Sequence, residues 1–142
     1  MKLLTPRALV VTVFAAVALV VPSAPAAAAG LTVTGRHAVL GDTAASVVLV
    51  GRYTCGPYPG GAPDRGVIDL EIRQTVGGVE ARAIGYLEPA VCDGVPQPYA
   101  AELSAVVGAF ARGTGWWSAS GYVEGAGGMQ NVHVPPTRIR IR

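Results

Sequence analysis

The two cysteines, Cys55 and Cys92, are the residues of this chain most open to covalent or metal chemistry. A cysteine nucleophile needs a neighbouring histidine, and His37 and His133 are the only histidines. No C-x-x-C or H-x-x-x-H spacing is present, so the pattern does not indicate a zinc site. A disulfide is the third possibility. Which of the three applies depends on the compartment, because thiols oxidise in secreted proteins.

The N-terminal segment predicts that compartment. Lys2 and Arg7 give it a positive start, residues 8–21 are apolar, and small residues follow with an A-x-A pattern at Ala27 and Ala29. This is the composition of a secretory signal peptide, and we expect cleavage after Ala29. The apolar run is shorter than the roughly 20 residues of a membrane span. We therefore expect a secreted, extracellular domain, residues 30–142, without a membrane span and with Cys55 joined to Cys92.

Hydrolytic chemistry is the next possibility. Ser118 and Ser120 stand in "WWSASG", which lacks the G-x-S-x-G pattern of a nucleophile elbow. His37, Asp69 and Ser118 are the residue types of a triad, but nothing in their spacing brings them together. Asp69 and Glu71 alternate with apolar residues, which is typical of a solvated strand face. The glycine run "GAGG" lacks the lysine and helix of a phosphate loop. We expect no catalytic residue, no metal and no cofactor.

Charge argues against one class of partner. Residues 30–142 contain nine arginines, no lysine and nine acidic residues, so their formal net charge is zero. General nucleic-acid binding needs an excess of basic residues that displaces counterions from phosphates. We therefore expect no nucleic-acid partner.

The adjacent tryptophans Trp116 and Trp117 are the main candidates for a binding surface. On a strand, neighbouring side chains point to opposite faces, so one should enter the core and the other should be exposed. With Tyr58, an exposed indole could stack on a sugar or anchor a protein partner. Packing in the core is the simpler explanation for these aromatic residues.

The C-terminal "RIRIR" places Arg138, Arg140 and Arg142 on one face of a final strand. The simpler role of these arginines is to protect a sheet edge from pairing with another chain. The functional alternative is contact with an anionic cell-wall polymer or a lipid headgroup.

Short alternating segments separated by turns must position these residues. Ala45–Cys55 reads as a strand that enters a core. The clearest hairpin runs through Val67–Val76, turns at Gly77-Gly78 and returns through Val79–Leu87. On the returning strand Val79, Ala81 and Ala83 should point inward, and Glu80 and Arg82 outward.

The segment Tyr99–Arg112 fits both periodicities. Leu103, Val106 or Val107, and Phe110 have helical spacing, but the first half also alternates. Because its neighbours are strands, we favour strand. Seven to nine short antiparallel strands in about 110 residues predict an all-β fold, specifically an immunoglobulin-like β-sandwich.

Four segments of the chain also carry a resemblance: "VGRYTC", "RQTVGG", "CDGVPQPY" and "GAFARGTGWWSASGYV". Together, over most of Val33–Val123, they resemble small secreted actinobacterial proteins known only as a domain of unknown function. The resemblance implies a one-disulfide β-sandwich, pairing of Cys55 with Cys92, and a strand near Tyr99. It implies no activity.

The predicted function is accordingly that of a secreted, non-catalytic binding or structural module. Its partner would be an extracellular protein or a cell-wall polymer. The alternative is a small protein inhibitor or ligand carrier, which would use the loop after Cys55 or a cleft near Trp116 and Trp117.

Overall fold

Seven strands form most of residues 30–142, the part of the chain that this computed structural model describes. The predicted signal peptide, residues 1–29, lies outside the described residues. The strands are β1 (Thr32–Leu40), β2 (Ser46–Thr54), β3 (Arg65–Val76), β4 (Val79–Leu87), β5 (Gln97–Val107), β6 (Gly113–Gly125) and β7 (Gly128–Ile141). Across residues 30–142, the protein forms no helix long and apolar enough to cross a membrane.

The strands close into a single barrel, in the order β1-β2-β5-β4-β3-β6-β7. Neighbouring strands are antiparallel except at the closure, where β1 and β7 run parallel and Ala38 pairs with Ile141. The all-β prediction is confirmed, but the prediction of an immunoglobulin-like sandwich is corrected to a barrel. Alternation of apolar and polar residues along a strand shows only which side chains face the core. Because this alternation is the same in a sandwich and in a barrel, it does not distinguish them.

The predicted hairpin is confirmed. Val76 pairs with Val79 across Gly77 and Gly78, whose φ values are 58° and 83°. Positive φ at both central residues is the requirement of a tight hairpin turn that matches strand twist, and glycine meets it without steric cost. On β3, Ile68, Leu70 and Ile72 are buried, and on β4 so are Ala81 and Ala83. The inward prediction for Val79 is wrong: it lies next to the turn, at the end of the hairpin, and is 62 % exposed.

The ambiguous segment Tyr99–Arg112 is a strand as far as Val107, the end of β5, and continues as a loop that buries Phe110. β5 pairs with β2 on one side and with β4 on the other. Its alternate residues Tyr99, Ala101 and Leu103 are buried, while Val106 and Val107 are half exposed. A helix would have placed Leu103 and one of these valines on the same buried face, so two-sided pairing of β5 decides against helix.

The barrel interior is filled by side chains. The largest of those that are fully buried include Leu49, Leu70, Ile72, Leu103 and Ile141. Trp117 completes this core by lying against the backbone of β1. A Cβ atom added at Gly35 would lie 2.8 Å from Cε2 of its indole, so glycine is what allows the ring to approach.

One end of the barrel is closed by two loops that the Cys55–Cys92 disulfide joins. Their backbones also pair: Tyr58 N donates to Cys92 O at 2.9 Å, and Cys92 N donates to Gly61 O at 2.8 Å. The side-chain amide of Gln130 binds both the N–H and the carbonyl of Gly56. We call this part of the protein the stapled end. The predicted disulfide is confirmed.

Candidate functional site

A groove of about 980 Å³ lies on the outer surface of the barrel, over β3, β4, β6, the middle of β7 and part of β5. We call it the outer groove. Outward-pointing side chains of these strands line it, and strand register sets them in cross-strand rows. One row contains Tyr86, Asp69, Ser120 and His133; the next contains Ile84, Glu71 and Ser118; the third contains Arg82, Arg73, Trp116 and Arg138.

The tryptophan pair divides as predicted. Trp116 is 48 % exposed and Trp117 is 3 % exposed. On β6, Trp117 pairs with the buried Ile72, and Trp116 pairs with the outward-pointing Arg73. Trp116 therefore presents its ring in the outer groove, while Trp117 belongs to the core.

Two members of the predicted binding surface are corrected by this geometry. Trp117 is buried, and so is Tyr58, whose ring packs on Gly125 at the stapled end. The Tyr58 hydroxyl lies 3.3 Å from Val123 O and 3.2 Å from Gly128 O. Burial raises the pKa of this phenol, and the negative charge of Glu124 adds to the effect. Tyr58 therefore holds the barrel end together and is not available to a partner.

Two exposed apolar residues of the groove were not predicted. Tyr86 is 63 % exposed and Ile84 is 45 % exposed, both on β4. The signal was present in the sequence, because Ala81 and Ala83 point inward and continued alternation turns Ile84 and Tyr86 outward. The Gly85 between them keeps the same parity as the alanines.

Glu71 is the electrostatic centre of the groove. Its carboxylate accepts a hydrogen bond from Arg73 Nε and, on its other oxygen, one from Arg82 Nε at 2.7 Å. Burial raises the pKa of Glu71, but the hydrogen bonds and charges of Arg73 and Arg82 outweigh burial and leave the pKa below its ordinary value. The carboxylate is thus ionised and held in place at neutral pH.

This pairing predicts a pH-dependent stability. The folded-state pKa of Glu71 is depressed. The ion pairs of Glu71 therefore contribute fully to the free energy of unfolding above the unfolded-state pKa of about 4.3, and this contribution is lost as pH falls through the folded-state pKa. Both arginines are about half exposed, so Glu71→Gln should cost no more than about 1 kcal/mol at neutral pH. Urea unfolding between about pH 7 and about pH 2 should show the variant converging on the wild type.

Glu102→Gln is the matched control, since Glu102 is an exposed carboxylate of the same groove and forms none of the ion pairs found in residues 30–142. It should leave the pH profile nearly unchanged. A stability gap for Glu71→Gln that stays constant down to the lowest pH would contradict the assigned role of Glu71.

A serine, a histidine and a carboxylate do lie side by side in the groove, but they are not the His37, Asp69 and Ser118 that the sequence offered as a triad. Ser120 lies between Asp69 on β3 and His133 on β7, whereas His37 pairs with Val50 on β2. In a triad the histidine must lie between the serine and the carboxylate; here the serine occupies the middle strand. Within the described barrel, no hydrogen bond joins these three side chains. They offer a ligand a hydroxyl, an imidazole and a carboxylate side by side.

No family model, curated protein or solved structure matches this chain. The resemblance to secreted actinobacterial proteins therefore stays a prediction, and the site must be interpreted from its own residues. Over residues 30–142, no group of three or more His, Cys, Asp and Glu side chains is placed to hold a metal ion.

The C-terminal arginines point outward, as predicted, but they do not protect a free edge. Arg142 N donates to Ala38 O at 2.9 Å, so the end of β7 is paired with β1.

Arg140 and Arg142 line a second depression together with Arg112. The ion pairs of the described barrel involve only Arg65, Arg73 and Arg82. The guanidinium groups of this depression, from Arg112, Arg140 and Arg142, therefore have no carboxylate partner within residues 30–142. Arg138 instead lies beside Trp116.

Proposed function

We propose that this protein is a secreted, non-catalytic binding module of the extracellular space and that the outer groove is its recognition surface. The observation that carries the proposal is the exposure of Trp116, 48 %, inside a groove that also holds the exposed Tyr86. Leaving large aromatic surface in water is unfavourable, and exposed apolar side chains that line one groove mark interaction sites. Secretion is supported by the disulfide, which forms in oxidising compartments.

The other predicted roles receive less support from the geometry. A ligand carrier needs an internal cavity, but large side chains such as Leu49, Leu103 and Ile141 fill the barrel. An inhibitor would present the loop after Cys55, yet the backbone groups of Tyr58 and Gly61 are already bonded to Cys92. The outer groove, in contrast, presents side chains whose polar groups face solvent.

The proposal is tested by measuring retention of the oxidised protein on two materials from the source organism. One is washed cell-wall material, and the other is its medium proteins, immobilised on a support. We expect Trp116→Ala to reduce retention on one of these materials about tenfold or more, since an aromatic anchor that contacts the ligand contributes at least about 1.4 kcal/mol. Met129→Ala is the matched control, because Met129 is similarly exposed, at 54 %, but lies outside the groove. It should bind as the wild type does.

A double variant, Arg140→Ser with Arg142→Ser, separates the groove from the arginine cluster. Retention of this variant in low salt should match the wild type if the groove is the recognition surface. Loss of retention in the double variant, with none in Trp116→Ala, would reject the groove and assign binding to an anionic polymer at the arginines.

A further inference from the structure

We infer that the ligand of the outer groove is a neutral oligosaccharide with one sugar ring stacked on Trp116. This inference rests on the proposed function, because it specifies the ligand of the same surface. Three features of the groove carry it: its polar floor, its aromatic residues at two opposite corners, and the sign of its charge.

The floor of the groove is made of short polar side chains. Asp69 and Glu71 on β3 lie directly opposite Ser120 and Ser118 on β6. Side chains two residues apart on a strand are about 7 Å apart, and neighbouring strands are about 4.8 Å apart. The floor is therefore a regular array of hydroxyl and carboxylate groups, which suits a ligand that carries several hydroxyl groups in a row.

Aromatic rings lie at opposite corners of this floor. Trp116 is in the row that contains Arg73, and Tyr86 is in the row that contains Asp69, on the far side of β3. A sugar ring has an apolar face of C–H groups and a rim of hydroxyl groups. Trp116 can cover the apolar face, while Ser118 and Glu71 in the adjacent row can bind the hydroxyl groups. The diagonal from Trp116 to Tyr86 has room for more than one sugar unit.

The charge of the groove favours a ligand without negative charge. Four carboxylates line the groove, from Asp69, Glu71, Glu80 and Glu102, against the two guanidinium groups of Arg73 and Arg82. Both guanidinium groups are paired with Glu71, so much of their positive charge is compensated, and Arg138 lies beside Trp116 but outside the lining of the groove. An acidic polysaccharide would meet the uncompensated carboxylates and be repelled.

A protein partner fits the same groove less well. Protein interfaces have an apolar centre that loses its water and a polar rim. The outer groove has the opposite arrangement, with Asp69, Glu71 and the two serines at the centre and the aromatic residues at the periphery. A polyhydroxylated ligand can satisfy those central groups, whereas an apolar protein surface would leave them unsatisfied at a cost of about 1–3 kcal/mol each.

The binding test uses the oxidised protein with cellohexaose, chitohexaose, xylohexaose and maltohexaose as neutral probes and polygalacturonate as the anionic probe. We expect at least one neutral hexasaccharide to bind and to shift the fluorescence of the exposed Trp116, and polygalacturonate not to bind. Trp116→Ala should weaken this binding about tenfold or more, Trp116→Phe should retain part of it, and Met129→Ala should not change it.

A second measurement tests the ligand class without assuming a particular sugar. The material that retains the protein is treated with anhydrous trifluoromethanesulfonic acid, which cleaves glycosidic bonds and leaves peptide bonds intact, or is digested with protease. We expect the acid treatment to abolish retention and protease to leave it intact. Retention that depends on Trp116 but survives the acid treatment and is lost with protease would overturn the oligosaccharide while the proposed function stands. Retention that does not depend on Trp116 would overturn both.

Discussion

Trp117→Ala should lower the free energy of unfolding by about 3–5 kcal/mol, the usual cost of removing a large buried aromatic side chain. Trp117 is 3 % exposed, and its indole lies against Gly35, which has no side chain with which to fill the space left behind. Relaxation of the barrel can close only part of the resulting cavity, because β1 and β6 are both held in register by neighbouring strands.

The adjacent residue provides the control. Trp116→Ala removes the same atoms from the same strand, but from the solvent-facing side, and should change the free energy of unfolding by about 1 kcal/mol or less. Urea unfolding followed by circular dichroism measures both variants. Equal destabilisation by the two substitutions would show that the side chains of β6 do not alternate between core and groove. A large loss confined to Trp116→Ala would contradict the groove itself.

The second large effect should come from the disulfide. Replacing both Cys55 and Cys92 with alanine opens a loop of 37 residues, which on the chain-entropy model is worth about 4 kcal/mol. Domains of this size have a total stability of about 5–15 kcal/mol. The variant should therefore have a much lower urea midpoint.

Backbone pairing of the two loops would remain possible in this variant, through Tyr58 N and Cys92 O or their equivalents. A Gly60→Ser variant in the same loop is the control, because a side chain at Gly60 would contact nothing within 4 Å; its positive φ predicts a cost of about 1–2 kcal/mol. If the double alanine variant lost less stability than this control, the loops and not the covalent link would hold the stapled end together.

Local features of this fold could be predicted from the sequence, because short-range chemistry determines them. Gly77-Gly78 can adopt positive φ at little cost, which defines the hairpin and hence the register of β3 against β4. Barrel closure could not be predicted in the same way. It depends on β5 bonding to β2 and β4 at once and on the pairing of Ala38 with Ile141, which are contacts between distant segments.

In the candidate site, too, local features could be predicted from the sequence, whereas contacts between distant segments could not. Alternation along β6 predicted that one of Trp116 and Trp117 is exposed and the other buried, and this is confirmed; which of the two is exposed depends on how β6 packs against its neighbours and could not be predicted. Tyr58 lies in the loop after β2, where no periodicity indicates direction, and its burial against Gly125 depends on tertiary contact. Tyr86 lies on a predicted strand, but its place beside Asp69 and Ser120 requires the order of β4, β3 and β6 in the barrel.

The parallel pairing of β1 with β7 also determines the order in which the barrel can assemble. The hairpins β1–β2, β3–β4 and β6–β7 join segments close in sequence, whereas β1–β7 joins the two ends of the described chain. Closing so long a loop is entropically costly, so this pairing should form late in folding. Until then the edges of both strands near Ala38 and Ile141 are unpaired. Pro135 and Pro136 lie further back in β7 and have no N–H to donate, so that part of the β7 edge is a poor template for an added strand before and after closure.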